Sequence, residues 1–180
     1  MINKNVEKIM NEQIVHELYS AYLYLAMSAY FESINLKGAA HWMRCQAQEE
    51  EIHAMLFYKH IVDRMGKVVL GKIDAPPASW KSPLEAFVEA NKHEQKVTAL
   101  INNIAKIAMQ EADFASNTIL QWFTNEQIEE EAQTDEIAQQ LKLVGDNSSA
   151  LLLLDQKLLT RIFTYPATLS AVVGGVAGGN

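Results

Sequence analysis

The chain has 180 residues, 49% of them hydrophobic and 21% charged, with a net charge of −7 and a single cysteine, Cys45. That is one ordinary globular domain, able to bury roughly 70% of the surface its unfolded chain exposes. One cysteine excludes an internal disulfide framework and an all-cysteine metal site, the negative charge disfavours nucleic acid as a partner, and the absence of long apolar runs excludes a membrane span. The first residues, Met1-Ile2-Asn3-Lys4-Asn5-Val6-Glu7-Lys8, lack the apolar stretch of a signal peptide, which points to a cytoplasmic protein.

The hydrophobic pattern is helical almost throughout and predicts an all-α fold. Four long helices are expected over 4–33, 38–65, 83–109 and 113–143, with a short fifth over 149–162. Pro83 suits a first helical turn, and Gly145-Asp146-Asn147 stops the fourth helix. The links after Ser33 and Gln110 are short, so helices one and two, and three and four, are antiparallel neighbours. Between Gly66 and Ser82 lie 17 residues, including Pro76-Pro77. Extended, they reach roughly 50 Å, enough to run along a bundle helix about 42 Å long. The expectation is a four-helix bundle with a long crossover between helices two and three.

Charge enters where the core should be apolar. From Ile107 to Leu141 there is no Lys, Arg or His, but eight acidic residues. In the second helix the seam runs Ala40, Met43, Ala47, Glu50, Ala54, Phe57, Ile61, with His53 one turn beyond Glu50. The third carries Phe87, Ala90, Glu94, Val97, Ile101, and the fourth Ile119, Phe123, Gln127, Glu130, Thr134, Ile137. On the first, Glu17 shares a face with Met10, Ala21, Tyr24 and Ser28. Each of these polar residues lies near its helix midpoint, and antiparallel helices bring their midpoints to one level. A single buried glutamate is an ordinary boundary residue; four at one level repel one another and cost several kcal/mol each even after relaxation. The seams supply no Lys or Arg to balance them. Metal cations do, and four carboxylates, an imidazole and an amide suit iron or manganese, with two ions bridged at about 3.5–4 Å.

The set Glu17, Tyr24, Glu50-x-x-His53, Glu94, Gln127-x-x-Glu130 resembles the ferroxidase centre of ferritins, in particular bacterial non-haem ferritins. Asn11-Glu12-Gln13, Ala47-Gln48-Glu49-Glu50 and Leu120-Gln121-Trp122 extend the likeness over about 4–162. The resemblance implies a ferritin-like di-iron domain over 1–162, followed by an apolar, glycine-rich tail over 163–180. It implies a first iron on Glu17, Glu50 and His53, a second on Glu50, Glu94 and Glu130, and Gln127 placing dioxygen or water. Glu49, Glu126 and Glu129 match a third iron position, and Tyr24 and Trp122 match aromatics that supply an electron. The implied function is oxidation of Fe(II) by dioxygen or peroxide and storage of Fe(III) mineral inside a homo-oligomeric cage of 24 subunits.

Departures narrow the choice within the superfamily. Gln127-x-x-Glu130 replaces a second Glu-x-x-His, and position 51 is Glu51 rather than a haem-binding methionine, so no haem is expected. A rubredoxin iron cannot be built from one cysteine. A di-iron peroxidase that stores little iron is the alternative activity. Where animal ferritins place pore carboxylates, this chain has Asn117 and Leu120, and its tail from Phe163 is longer and more apolar than that of typical bacterial ferritins.

Overall fold

The computed structural model describes residues 1–164. Five helices follow one another, α1 (Lys4–Ser33), α2 (Lys37–Asp63), α3 (Pro83–Gln110), α4 (Phe114–Val144) and α5 (Ser148–Leu158). Four begin on a residue whose side-chain oxygen takes up a free backbone N–H of the first turn. Asn3 accepts from Asn5 N, Ser82 from Glu85 N, Asp113 from Ser116 N and Asn147 from Ala150 N. The start of α2 has no such residue of its own. Asp155 of α5 supplies the cap, accepting from the N–H groups of Gly38 at 3.0 Å and Ala39 at 2.8 Å. The approach is so close that a Cβ on Gly38 would lie 1.6 Å from the Asp155 carbonyl oxygen.

α1 packs against α2, α3 against α4, and α1 against α3, while α5 sits on α2 and α4. The crossover runs along α1, as its length allowed. Lys67 N donates to Glu7 at 3.1 Å, Val69 N to Asn11 at 2.6 Å, and Trp80 stacks edge-on against Tyr30 at 5.5 Å. These contacts climb from the first turns of α1 to its last.

The core is divided. One apolar cluster gathers Tyr24, Met27, Phe31, Met43, Phe87 and Leu141, and a second gathers Val6, Met10, Phe57, Ile61, Ile101 and Phe123. In the second, Phe57 and Phe123 stack at 4.2 Å. Fully burying each such side chain contributes ~1.5–3 kcal/mol. Glu17, Gln46, Glu50, His53, Glu94, Gln127 and Glu130 are also buried, and on their helices they lie between the residues of the two clusters.

One expectation needs correcting. α5 ends at Leu158 rather than 162, because Thr160 and Arg161 turn back and the Arg161 side chain reaches α2. Leu120, one of the two residues aligned with the pore carboxylates of animal ferritins, lies 2% exposed in the second apolar cluster, which fits its departure from that pattern. Of the tail predicted over 163–180, Phe163 packs against the second cluster; residues 165–180 lie outside the described ones.

Candidate metal centre

Helical periodicity puts each of the six polar side chains on the inward face of its own helix, and the bundle brings the four faces together. Ligand atoms of Glu17, Glu50 and His53 lie within 4.8 Å of one another, and so do those of Glu50, Glu94 and Glu130. Glu50 belongs to both groups. A third group joins His53, Glu126 and Glu130. The first two groups hold the residues predicted for two neighbouring cations, and the third adds Glu126, predicted for a third position.

The polar atoms are only half satisfied. Gln13 donates to Glu17 at 3.0 Å, and Gln46 donates to Glu50 at 3.1 Å and to Glu130 at 2.8 Å. Gln127 donates to a Glu94 carboxylate oxygen at 3.2 Å, and the Tyr24 hydroxyl donates to the other. Glu17 Oε2, Glu50 Oε2, His53 Nδ1, Gln127 Oε1 and Glu130 Oε2 remain buried without a hydrogen-bond partner. Each such atom costs ~1–3 kcal/mol. All five belong to the predicted centre, and all five can ligate a cation or hold a water beside one. The chemistry of the donor set, oxygen-rich with one imidazole, fits iron.

Burial pushes the carboxyl groups of Glu17, Glu50 and Glu130 well above the usual carboxylate range, and neighbouring glutamates push further. Glu94 is also raised by burial, against the hydrogen bonds from Tyr24 and Gln127. Burial and the charges of Glu94 and Glu50 likewise raise Tyr24, so its phenol keeps its proton. Burial and crowding therefore favour the protonated carboxyls, and a cation favours the ionised ones, so metal binding and proton release are coupled.

The remaining predicted residues are placed as follows. Trp122 stands edge-on to the His53 ring at 5.5 Å. Glu49 and Glu126 line a cavity of about 70 Å³ with His53 and Trp122, whereas Glu129 is exposed and accepts from Gln133 at 2.7 Å. Glu49 itself is bonded to Arg161. Sequence reasoning missed Gln13, Gln46 and Arg161. The two glutamines carried a signal, since each lies four residues before a ligand glutamate and so one turn away on the same face. Arg161 carried none.

The comparisons with known proteins agree with this geometry. A family described as a ferritin-like domain matches residues 7–144. The chain belongs to the ferritin family. It is 37% identical to the bacterial non-heme ferritin of Staphylococcus aureus over 163 residues, covering 91% of this chain and 98% of that one. Against the bacterial non-heme ferritin of Bacteroides fragilis the identity is 41% over 146 residues, or 81% and 92% of the two chains. Among solved structures, the open-pore ferritin of the archaeon Archaeoglobus fulgidus superposes with a TM-score of 0.89 at 46% identity, covering 90% of this chain and all (100%) of that one.

Proposed function

We propose that the protein is an iron-storage ferritin with ferroxidase activity, and the observation that carries this is the set of five buried polar atoms, grouped about Glu50, that make no hydrogen bond. Fe(II) is the substrate. Glu17, Glu50 and His53 bind one ion, Glu50, Glu94 and Glu130 the other, and Glu50 bridges. Burial and mutual repulsion favour the protonated form of these carboxyls, and an incoming cation favours the ionised form, so iron binding is coupled to proton release. Two Fe(II) supply two electrons, and the solvent two protons, to reduce dioxygen to hydrogen peroxide or hydrogen peroxide to two waters, leaving two Fe(III). Gln127, with Oε1 unpaired, orients the oxidant or a water beside the pair. Tyr24 donates its hydroxyl to Glu94 and Trp122 stands against His53, so either can supply a further electron to an oxidant that needs more than the two from iron, Tyr24 passing its proton to Glu94 as it does so. The protein's part is to hold the ions at bridging distance in a shell organised before they arrive.

Fe(III) then leaves past Glu126, with Glu49 and Glu129 completing a third position, toward mineral stored in a cage of 24 copies in the cytoplasm. None of the described helices is long and apolar enough to cross a membrane.

Anaerobic Fe(II) titration followed by native mass measurement with iron counting tests the reading. At least two Fe(II) per chain, and a large particle that retains many more after oxidation, are expected. Fewer than one Fe(II) per chain refutes the paired site, and a particle that oxidises iron yet retains little indicates a peroxidase.

A further inference from the structure

Arg161 meets the metal centre from a direction that the helical seams do not supply. Past α5 the chain turns, with Thr160 N donating to Lys157 O and Arg161 N to Leu158 O. The Arg161 side chain then lies along α2. Its guanidinium carbon sits 4.3 Å above the Trp42 ring, Nη1 donates to Trp42 O at 3.3 Å, Nη2 donates to Gln46 Oε1 at 2.9 Å, and Nη2 also pairs with Glu49. The side chain is 15% exposed. A guanidinium can only donate, so it holds the Gln46 oxygen toward itself and the Gln46 amide nitrogen toward Glu50 and Glu130.

The same guanidinium occupies a carboxylate of the third position. Glu49 opens on the small cavity that holds Glu126, Phe163 and Thr164 and is floored by His53, whose buried Nδ1 has no hydrogen-bond partner. Glu126 also groups with His53 and Glu130 within ligand distance. A cation entering this cavity from the paired site meets Glu126 first, and finds Glu49 already neutralised by a fixed cation. Two cations cannot share that carboxylate without repulsion, and the charge-assisted bond has to break for Glu49 to turn.

We propose that Arg161 is a positioning residue that competes with iron for Glu49 and so keeps the third position weak, favouring passage over retention. This rests on the third-position reading above. Ions then move through the cavity instead of resting in it, while the stacked guanidinium holds Gln46 in register with the paired site.

Zn(II), which cannot be oxidised there, and anaerobic Fe(II) are titrated calorimetrically into the assembled wild type, Arg161→Gln, Glu49→Gln and the double variant, with particle size checked by native mass. Arg161→Gln should tighten the third ion by about ten- to a hundredfold, the range set by one hydrogen bond between charged groups, and keep two further ions per chain, bound somewhat more weakly because Gln46 loses its anchor. Glu49→Gln should weaken the third ion little in the wild type, and strongly when Arg161 is also replaced, a coupling that general loosening of the tail does not produce. Arg161→Lys keeps the charge beside Glu49 but not the stack on Trp42 or the fork to Gln46, so the third ion should stay weak while the Gln46 anchoring is lost. Equal third-ion affinity in wild type and Arg161→Gln overturns the competition alone. Absence of any third ion in both overturns the third-position reading and the competition with it. If Arg161→Gln does not assemble, a Glu49→Gln change that abolishes third-ion binding in the wild type overturns the proposal, and a small loss supports it.

Discussion

Glu130→Gln should make the metal-free protein more stable and the metal site worse. Glu130 is buried, accepts from Gln46 at 2.8 Å through one oxygen and leaves the other without a partner. Burial raises its pKa well above the ordinary value, and the charges of Glu50, Glu94, Glu17 and Glu126 add to that. A carboxyl whose folded pKa exceeds its unfolded one binds more protons when folded. Its contribution to stability is full below the unfolded pKa and is lost as pH rises through the folded pKa. At pH 8 the wild type therefore carries either a buried charge or the work of keeping a proton. The amide has the same shape, still accepts from Gln46, and offers N–H donors to the unpartnered oxygen of Glu50. An ionised buried group costs several kcal/mol, part of which protonation already avoids. A gain of about 1–3 kcal/mol at pH 8 is expected, falling toward zero near pH 4. For a chain of this size that is roughly 2–12 °C in Tm. Thermal unfolding with chelator present, scanned from pH 4 to 8, measures it, and an anaerobic Fe(II) titration should show the second ion weakened. A metal-free variant less stable than wild type at pH 8, or a gain equal at every pH, refutes the reasoning.

Glu50→Ala should damage both iron positions because its carboxylate belongs to both groups, whereas His53→Ala should weaken only the first; spectroscopy of the iron-loaded His53→Ala protein should show single rather than coupled ions, and an intact coupled pair would make His53 a packing residue. Tyr24→Phe removes the hydroxyl that donates to Glu94; Zn(II) stoichiometry should stay at wild type while the rate of Fe(II) oxidation falls, and loss of bound Zn(II) would assign Tyr24 to holding the ligand instead. Gly38→Ala places a methyl 1.6 Å from the Asp155 carbonyl oxygen, so α5 must shift off the start of α2 and the protein should lose a few kcal/mol of stability, about the scale of overpacking, seen as a lowered denaturation midpoint. Added haem should produce no stoichiometric Soret band, since the position after Glu50 is Glu51, which is exposed.

Much of the centre was legible in the sequence because an α-helix fixes the face on which each of its residues lies. Glu50 interrupts an otherwise apolar stripe at a spacing of three and four, as does Glu94, and connection lengths alone set the helices antiparallel with a crossover long enough to follow α1. Two short links and one long one therefore placed four seam glutamates at one level. What periodicity does not encode is which side chain from another element arrives beside them. Arg161 falls inside the fifth helix predicted over 149–162, and only the early end of α5 at Leu158 and the return of the chain onto Trp42 bring its guanidinium to Glu49. Asp155 caps α2 from 116 and 117 residues away, a pairing with no local signature. Glu126 and Glu129 share a charge and a spacing, yet the bundle turns the first toward His53 and leaves the second exposed beside Gln133. A residue's face follows from the 3.6-residue turn of its own helix, but its partners follow from how separate helices pack, and that is a property of the folded chain alone.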